Sequence, residues 1–157
     1  MIEIREITKA DDKVIENIIR NCLIEYGADH EGTAWADPDL CRFSEIYGSE
    51  GNKYWVAVVD GTVVGGVGIG RLTDSVCELQ KMYCLREVRG TGVAQKLINT
   101  ALEYAARFYS QCYLETLPNM TAAQKFYEKH GFMLTNISPV DTGHYACDVK
   151  YIKNLVR

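Results

Sequence analysis

Residues 79–97 read LQKMYCLREVRGTGVAQKL, and the hydrophobic period changes in the middle of them. On the N-terminal side the apolar positions alternate, as in a strand over about Val76 to Leu85. The parity slips between Leu79 and Met82, as a bulge requires. From Gly92 onward the period is helical: Val93, Leu97, Ile98, Ala101, Leu102 and Ala105 share one face. Between the two lies Arg89-Gly90-Thr91-Gly92-Val93-Ala94. Small residues let the backbone curl closely around a ligand. The turn's amides, and the free N–H groups at the positive end of the following helix, favour an anion such as a pyrophosphate. A glycine-bearing turn of this kind can also be purely structural, so by itself it leaves both readings open.

Upstream, Tyr54 to Val59 and Thr62 to Leu72 flank Asp60-Gly61, a dipeptide suited to a two-residue hairpin. Ile2, Ile4 and Ile7 read as a first strand. Val14, Ile15, Ile18, Ile19, Cys22, Leu23 and Tyr26 then form the stripe of an amphipathic helix that Gly27 ends. After a polar loop, Asp37-Pro38 opens a second helix through about Tyr47. Gly65, Gly66, Gly68 and Gly70 lie inside a strand, without the spacing of a dinucleotide fingerprint, and read as close backbone packing or a bulge. Downstream, Cys112 to Thr116 is a short strand. Thr121-Ala122-Ala123-Gln124 has the form of a capping box opening a helix that stops at Gly131. Strands around Phe132 to Thr135 and Tyr145 to Ile152 close the chain. The order βααβββαβαββ over 1–157 makes one domain of α/β (α+β) class, built on a single mixed sheet flanked by helices.

The 157 residues are 47% apolar and 24% charged, the profile of a globular chain long enough to bury its own core. The six cysteines are scattered and make no CxxC pair, so neither a zinc site nor any other metal is expected, and a reducing cytoplasm is the natural setting. The net charge of −4, with 17 basic residues forming no block, argues against a nucleic-acid partner. No apolar run nears the roughly 20 residues of a membrane span. The alternating start Met1-Ile2-Glu3-Ile4-Arg5 does not read as a secretory leader.

A second stretch narrows the reading. Leu114-Glu115-Thr116-Leu117-Pro118-Asn119-Met120 precedes Ala122-Ala123-Gln124-Lys125-Phe126-Tyr127-Glu128-Lys129-His130-Gly131-Phe132. With the loop, it resembles the GNAT superfamily of N-acetyltransferases. The loop matches their (Gln/Arg)-x-x-Gly-x-(Gly/Ala) signature at Arg89, Gly92 and Ala94. The later stretch matches their helix and its Phe-Tyr-Glu-Lys-x-Gly-Phe ending. The chain departs at Met120, where many relatives carry asparagine; Asn119 lies one residue earlier.

The resemblance implies a mostly antiparallel GNAT-like sheet and acetyl-CoA as co-substrate, without a metal. Its pyrophosphate would meet backbone amides of Arg89, Gly90, Thr91, Gly92, Val93 and Ala94. The pantetheine arm would run strand-like beside Met82, Tyr83 and Cys84, in a gap opened by the bulge. Ala123 and Phe126 would flank the arm from the other side, with Asn119 nearby. Tyr127 would be the general acid at the departing thiolate, against the alternative of a core tyrosine. Glu78, by its place in the strand, would be the general base, against a solvent-facing carboxylate paired with Lys81. Trp35, in a loop that often covers the acceptor pocket, and His144, before the last strand, are candidate acceptor contacts; a small satellite core and a turn histidine are the alternatives. The acceptor would be a small-molecule or peptide amine, and a homodimer is admitted because family members often form one. Two functions from different classes follow: an enzyme acetylating an amine by direct attack in a ternary complex, or a CoA-binding sensor without turnover. Acceptor-dependent release of free thiol separates them.

Overall fold

A computed structural model describes residues 1–155. Its seven strands form one sheet in the order β1-β2-β3-β4-β5-β7-β6. They are β1 (Ile2–Glu6), β2 (Lys53–Val59), β3 (Thr62–Arg71), β4 (Val76–Cys84), β5 (Gln111–Thr116), β6 (Met133–Leu134) and β7 (Val149–Asn154). The helices are α1 (Asp12–Glu25), α2 (Phe43–Ile46), α3 (Val93–Ala105) and α4 (Thr121–Lys129), which gives the expected order. All neighbouring strands are antiparallel except β4 and β5.

Strand alternation sorts the core into two layers. Trp55, Ala57, Val67, Ile69, Cys77 and Leu79 point to the face covered by Leu97, Ile98 and Ala101 of α3, where Phe126 and Tyr127 of α4 also pack. Tyr54, Val56 and Val58 point the other way, against Ile15, Ile19 and Leu23 of α1. Burying each such side chain contributes roughly 1.5–3 kcal/mol. The β2–β3 hairpin turns on Asp60 (φ 50°) and Gly61 (φ 80°), both left-handed as a type I′ turn requires. The β3 glycines are there for packing. A Cβ on Gly66 would lie 2.5 Å from the Tyr54 ring, and one on Gly70 would lie 2.5 Å from the Gln80 side chain.

The bulge falls in β4. Gly66 pairs with Tyr83 and Gly68 with Gln80, so Lys81 and Met82 together oppose Val67. Lys81 takes φ 50°, and the Tyr54 hydroxyl donates to its carbonyl at 2.7 Å. Across the bulge the inward-facing positions change from Cys77 and Leu79 to Met82 and Cys84. This inversion is the parity slip seen in the sequence. β4 and β5 share three rungs, Val76–Gln111, Cys77–Cys112 and Glu78–Tyr113, and then part. Beyond Glu78 the edge of β4 that faces β5 has no strand partner among the described residues.

Three local expectations are corrected. The helix expected from Asp37 to Tyr47 is reduced to the single turn of α2. Asp37 itself is extended (ψ 123°), its carboxylate held by Lys81 and His144; Leu40 buries from an irregular turn and Phe43 from the first position of α2. The capping box at α4 does not form. Met120 is the N-cap, and the Gln124 amide turns back to donate to the carbonyls of Leu117 (3.0 Å) and Pro118 (3.2 Å). The last strand starts at Val149 instead of Tyr145, because Ala146 N–H is drawn to the Gly32 carbonyl at 3.0 Å.

Candidate active site

Where β4 and β5 part, a cavity of about 150 Å³ opens. β4 lines it with Lys81, Met82, Tyr83 and Cys84, β5 with Leu114, Glu115 and Thr116, and α4 with Ala123 and Tyr127; Arg89 and, from α1, Cys22 and Tyr26 complete the wall. Of the residues singled out in the sequence, the cavity thus gathers Met82, Tyr83, Cys84, Arg89, Ala123 and Tyr127.

The loop at its mouth is a set of unused donors. The amides of Arg89 and Thr91 close the turn onto the carbonyls of Arg86 and Val88, at 3.3 Å each. Those of Gly90, Gly92, Val93, Ala94 and Gln95 meet no acceptor among the described residues, and the first helical bond is Lys96 N–H to Gly92 C=O at 3.1 Å. Gly92 reaches φ 94° at the helix N-cap, which aims these amides together. Such a donor set fits a pyrophosphate, and the unpaired edge of β4 fits an extended amide-bearing arm. The Arg89 side chain faces inward, in a bidentate pair with Glu25 of α1 (2.6 and 3.0 Å), and donates to the Cys84 carbonyl at 3.3 Å.

Tyr127 is held from behind. Its carbonyl accepts from Phe132 N–H at 3.1 Å, and its ring packs 6.0 Å from Phe132 and 6.4 Å from Tyr151. Its hydroxyl has no hydrogen-bond partner among the described residues, and the residue lines the cavity. Burial pushes the phenol well above the usual tyrosine range, so it keeps its proton at neutral pH. The thiols of Cys84 and Cys147, also in the wall, are each pushed up by burial to about 12, and neither is a competing nucleophile.

Glu78 faces the α1 side of the sheet at 6% exposure. Its Oε1 accepts from the Gln80 amide at 2.7 Å, and Gln80 in turn accepts from the Tyr47 hydroxyl at 2.7 Å. Burial raises its pKa above the usual carboxylate value, with Lys81, Glu115 and His144 nearby. It is neither solvent-facing nor paired with Lys81, and it is not among the residues that line the cavity.

A second, open cavity of about 500 Å³ shares Glu115 and Cys147 with the first and is lined also by Thr142, His144 and Lys150. His144 Nε2 contacts both Asp37 oxygens at 3.0 and 3.1 Å, and Lys81 Nζ reaches the same carboxylate at 2.7 Å. Three other candidates lie elsewhere. Trp35 stacks under Arg20, whose guanidinium is 4.7 Å from the ring centre. Asn119 donates to the Tyr26 carbonyl at 3.0 Å, closing the end of α1. Phe126 packs against His130, ring centres 4.5 Å apart, on the α3-side core. Lys81 and Glu115 were missed by the sequence reading. The slip in parity marks the first, and strand alternation after Cys112 and Leu114 would have turned the second toward the cleft. No cluster of three or more metal-ligating side chains occurs among the described residues, and no helix there is long and apolar enough to cross a membrane.

The model of the acetyltransferase (GNAT) family matches residues 15–132. The chain is 40% identical over 156 residues to the uncharacterized N-acetyltransferase YjgM of Escherichia coli K12, covering 96% of this chain and 93% of that protein. It is 42% identical to the N-acetylaspartate synthetase of Xenopus tropicalis over 60% of this chain but 36% of that longer protein. An acetyltransferase of the GNAT family from Staphylococcus aureus Mu50 superposes with a TM-score of 0.88 at 22% identity, over 99% of this chain and 100% of that one. The PaiA N-acetyltransferase of Thermoplasma acidophilum, solved in complex with coenzyme A, gives 0.77 at 18% identity over 98% and 99%.

Proposed function

The chain belongs to the GNAT family and is an N-acetyltransferase, and from that premise we propose that it moves an acetyl group from acetyl-CoA to an amine by direct attack, both substrates being bound together. When bound, acetyl-CoA supplies the acetyl thioester. The amides of Gly90 and of Gly92 through Gln95 hold its pyrophosphate, and the open edge of β4 at Met82, Tyr83 and Cys84 holds its arm. What carries the reading is the unpartnered Tyr127 hydroxyl in the cavity where β4 and β5 part.

Glu78, through a water, takes one proton from the incoming ammonium, which frees the nitrogen lone pair. The N–C bond forms as the C–S bond breaks. Tyr127 donates its proton to the departing sulfur. The second proton leaves the nitrogen and restores the Tyr127 hydroxyl, and Glu78 gives up its own to solvent, so amide, free thiol and one released proton are the products. A buried carboxylate with raised proton affinity suits the first step, and a phenol that stays protonated suits the last. The N-acetylaspartate synthetase is, by its name, a maker of an acetylated amino acid; its match spans 60% of this chain, and the acceptor class is taken from it no further than an amine.

The test is acceptor-dependent chemistry. With acetyl-CoA and a panel of primary amines, free thiol and acetylated amine appear in equal amounts, and little thiol appears without an acceptor. Tight CoA binding with no amine-dependent release across the panel overturns the reading in favour of a CoA sensor.

A further inference from the structure

Lys81 on β4 and Glu115 on β5 stand on the two walls of the same cavity, and no ion pair joins them among the described residues. Each is incomplete in its own way. Lys81 has a side chain only 12% exposed, and among the described residues its ammonium is matched by Asp37 alone, at 2.7 Å. An ammonium has three donors, so two remain open. The carboxylate of Glu115 is steered by two neutral donors, the Tyr113 hydroxyl at 2.7 Å and the Thr142 hydroxyl. No cation lies within ion-pair distance of it among the described residues. Asp37 is not a spare charge, because Lys81 and His144 already share it.

A cation with open donors and a carboxylate that makes no ion pair among the described residues, its cross-strand neighbour Lys150 included, thus share one partly desolvated space, where unmatched charge is costly. Lys81 also holds φ 50°, a conformation costly for a residue with a Cβ, at the point where it lines the cleft. A plain amine would leave the Lys81 donors unfilled. A diamine would bring a second cation to Lys81, and a dicarboxylate would bring a second anion to Glu115. A molecule carrying one ammonium and one carboxylate a few bonds apart satisfies both walls.

Resting on the acetyl-transfer reading, we propose that the acceptor is a free α-amino acid, its ammonium held by Glu115 and its carboxylate by the open donors of Lys81. The Lys81–Asp37–His144 chain keeps the lysine head in place while it binds.

The experiment uses the full chain with the proteinogenic α-amino acids, the α-carboxamide of each, and putrescine and spermidine. Turnover is followed with acetyl-CoA, and binding by calorimetry on the CoA-bound protein. The best acceptor is an α-amino acid, and its carboxamide is worse in kcat/KM and in affinity by roughly 10–100-fold, as expected for losing hydrogen bonds to a charged group. Lys81→Met narrows that gap to about threefold or less, whereas Lys81→Arg keeps most of it. A merely structural lysine would lower amino acid and carboxamide alike and leave their ratio untouched. That result, or a carboxamide or polyamine as the best acceptor, overturns the proposal. Lys81-dependent binding of an amino acid without acetyl transfer would sustain the Lys81–Glu115 amino-acid site while removing the acetyl-transfer reading. An active enzyme that prefers polyamines would do the reverse.

Discussion

At Tyr127 the backbone and the ring are occupied and the hydroxyl is free, and this division makes a clean substitution possible. Phenylalanine keeps the contacts with Phe132 and Tyr151 and breaks no hydrogen bond found among the described residues. Stability should therefore change by less than about 0.5 kcal/mol, and CoA affinity should hold. Turnover should fall by roughly 10²–10⁴-fold, because the lost proton matters as charge develops on sulfur. A Tyr127→Phe enzyme with wild-type kcat, measured where chemistry limits the rate, would return the residue to the core. Tyr127 was legible because one helix carries it with its neighbours at fixed spacing. Glu78 was legible only as a position in a strand. Its support runs through Gln80 of the same strand to Tyr47 in the turn after α2, a contact that no local pattern announces.

Among the elements, the strand–turn–helix from β4 to α3 was the most legible, since a change of hydrophobic period is written in consecutive residues. The bulge could be read for the same reason. The stretch from Asp37 to Tyr47 could not, because a side chain tied to β4 and to the loop before β7 outweighs local helix propensity. The start of β7 moved for a similar reason, a backbone bond to Gly32. The turn itself invites a paired test at Gly92. No atom lies within 4 Å of a Cβ placed there, so the obstacle is the φ of 94° and not space. Gly92→Ala should cost about 1 kcal/mol of stability and retain CoA binding. Gly92→Glu should cost a similar amount yet abolish binding, since its charge enters the anion site. Thermal denaturation and calorimetry on both variants check this, and wild-type CoA affinity in the glutamate variant would remove the loop from the site.

For the molecule as a whole, the element order and the two-layered core followed from the sequence, while the acceptor end did not. Asp37, Lys81, Glu115 and His144 meet only when the sheet has assembled. Glu78 illustrates what such a site costs. Burial raises its folded-state pKa, so folding takes up a proton, and its cost to stability grows as pH climbs from the unfolded value of about 4.3 through the folded value. Glu78→Gln should thus be more stable than wild type at neutral pH, with the difference vanishing below about pH 4.3. The same variant should lose activity, most severely at low pH where the amine arrives charged. Melting curves and kcat/KM across pH test both, and equal stability and activity at neutral pH would sink the assignment. The three rungs between β4 and β5 carry one more consequence. The seam divides the sheet into a block holding β1 to β4 and a block holding β5, β7 and β6, each with its own antiparallel pairing. A gene split at Ser110 would encode two complementary fragments rejoined by three rungs and by the core they share under α3, and a ligand bridging both blocks would add to their hold on each other, making the divided enzyme a reporter of its own cofactor.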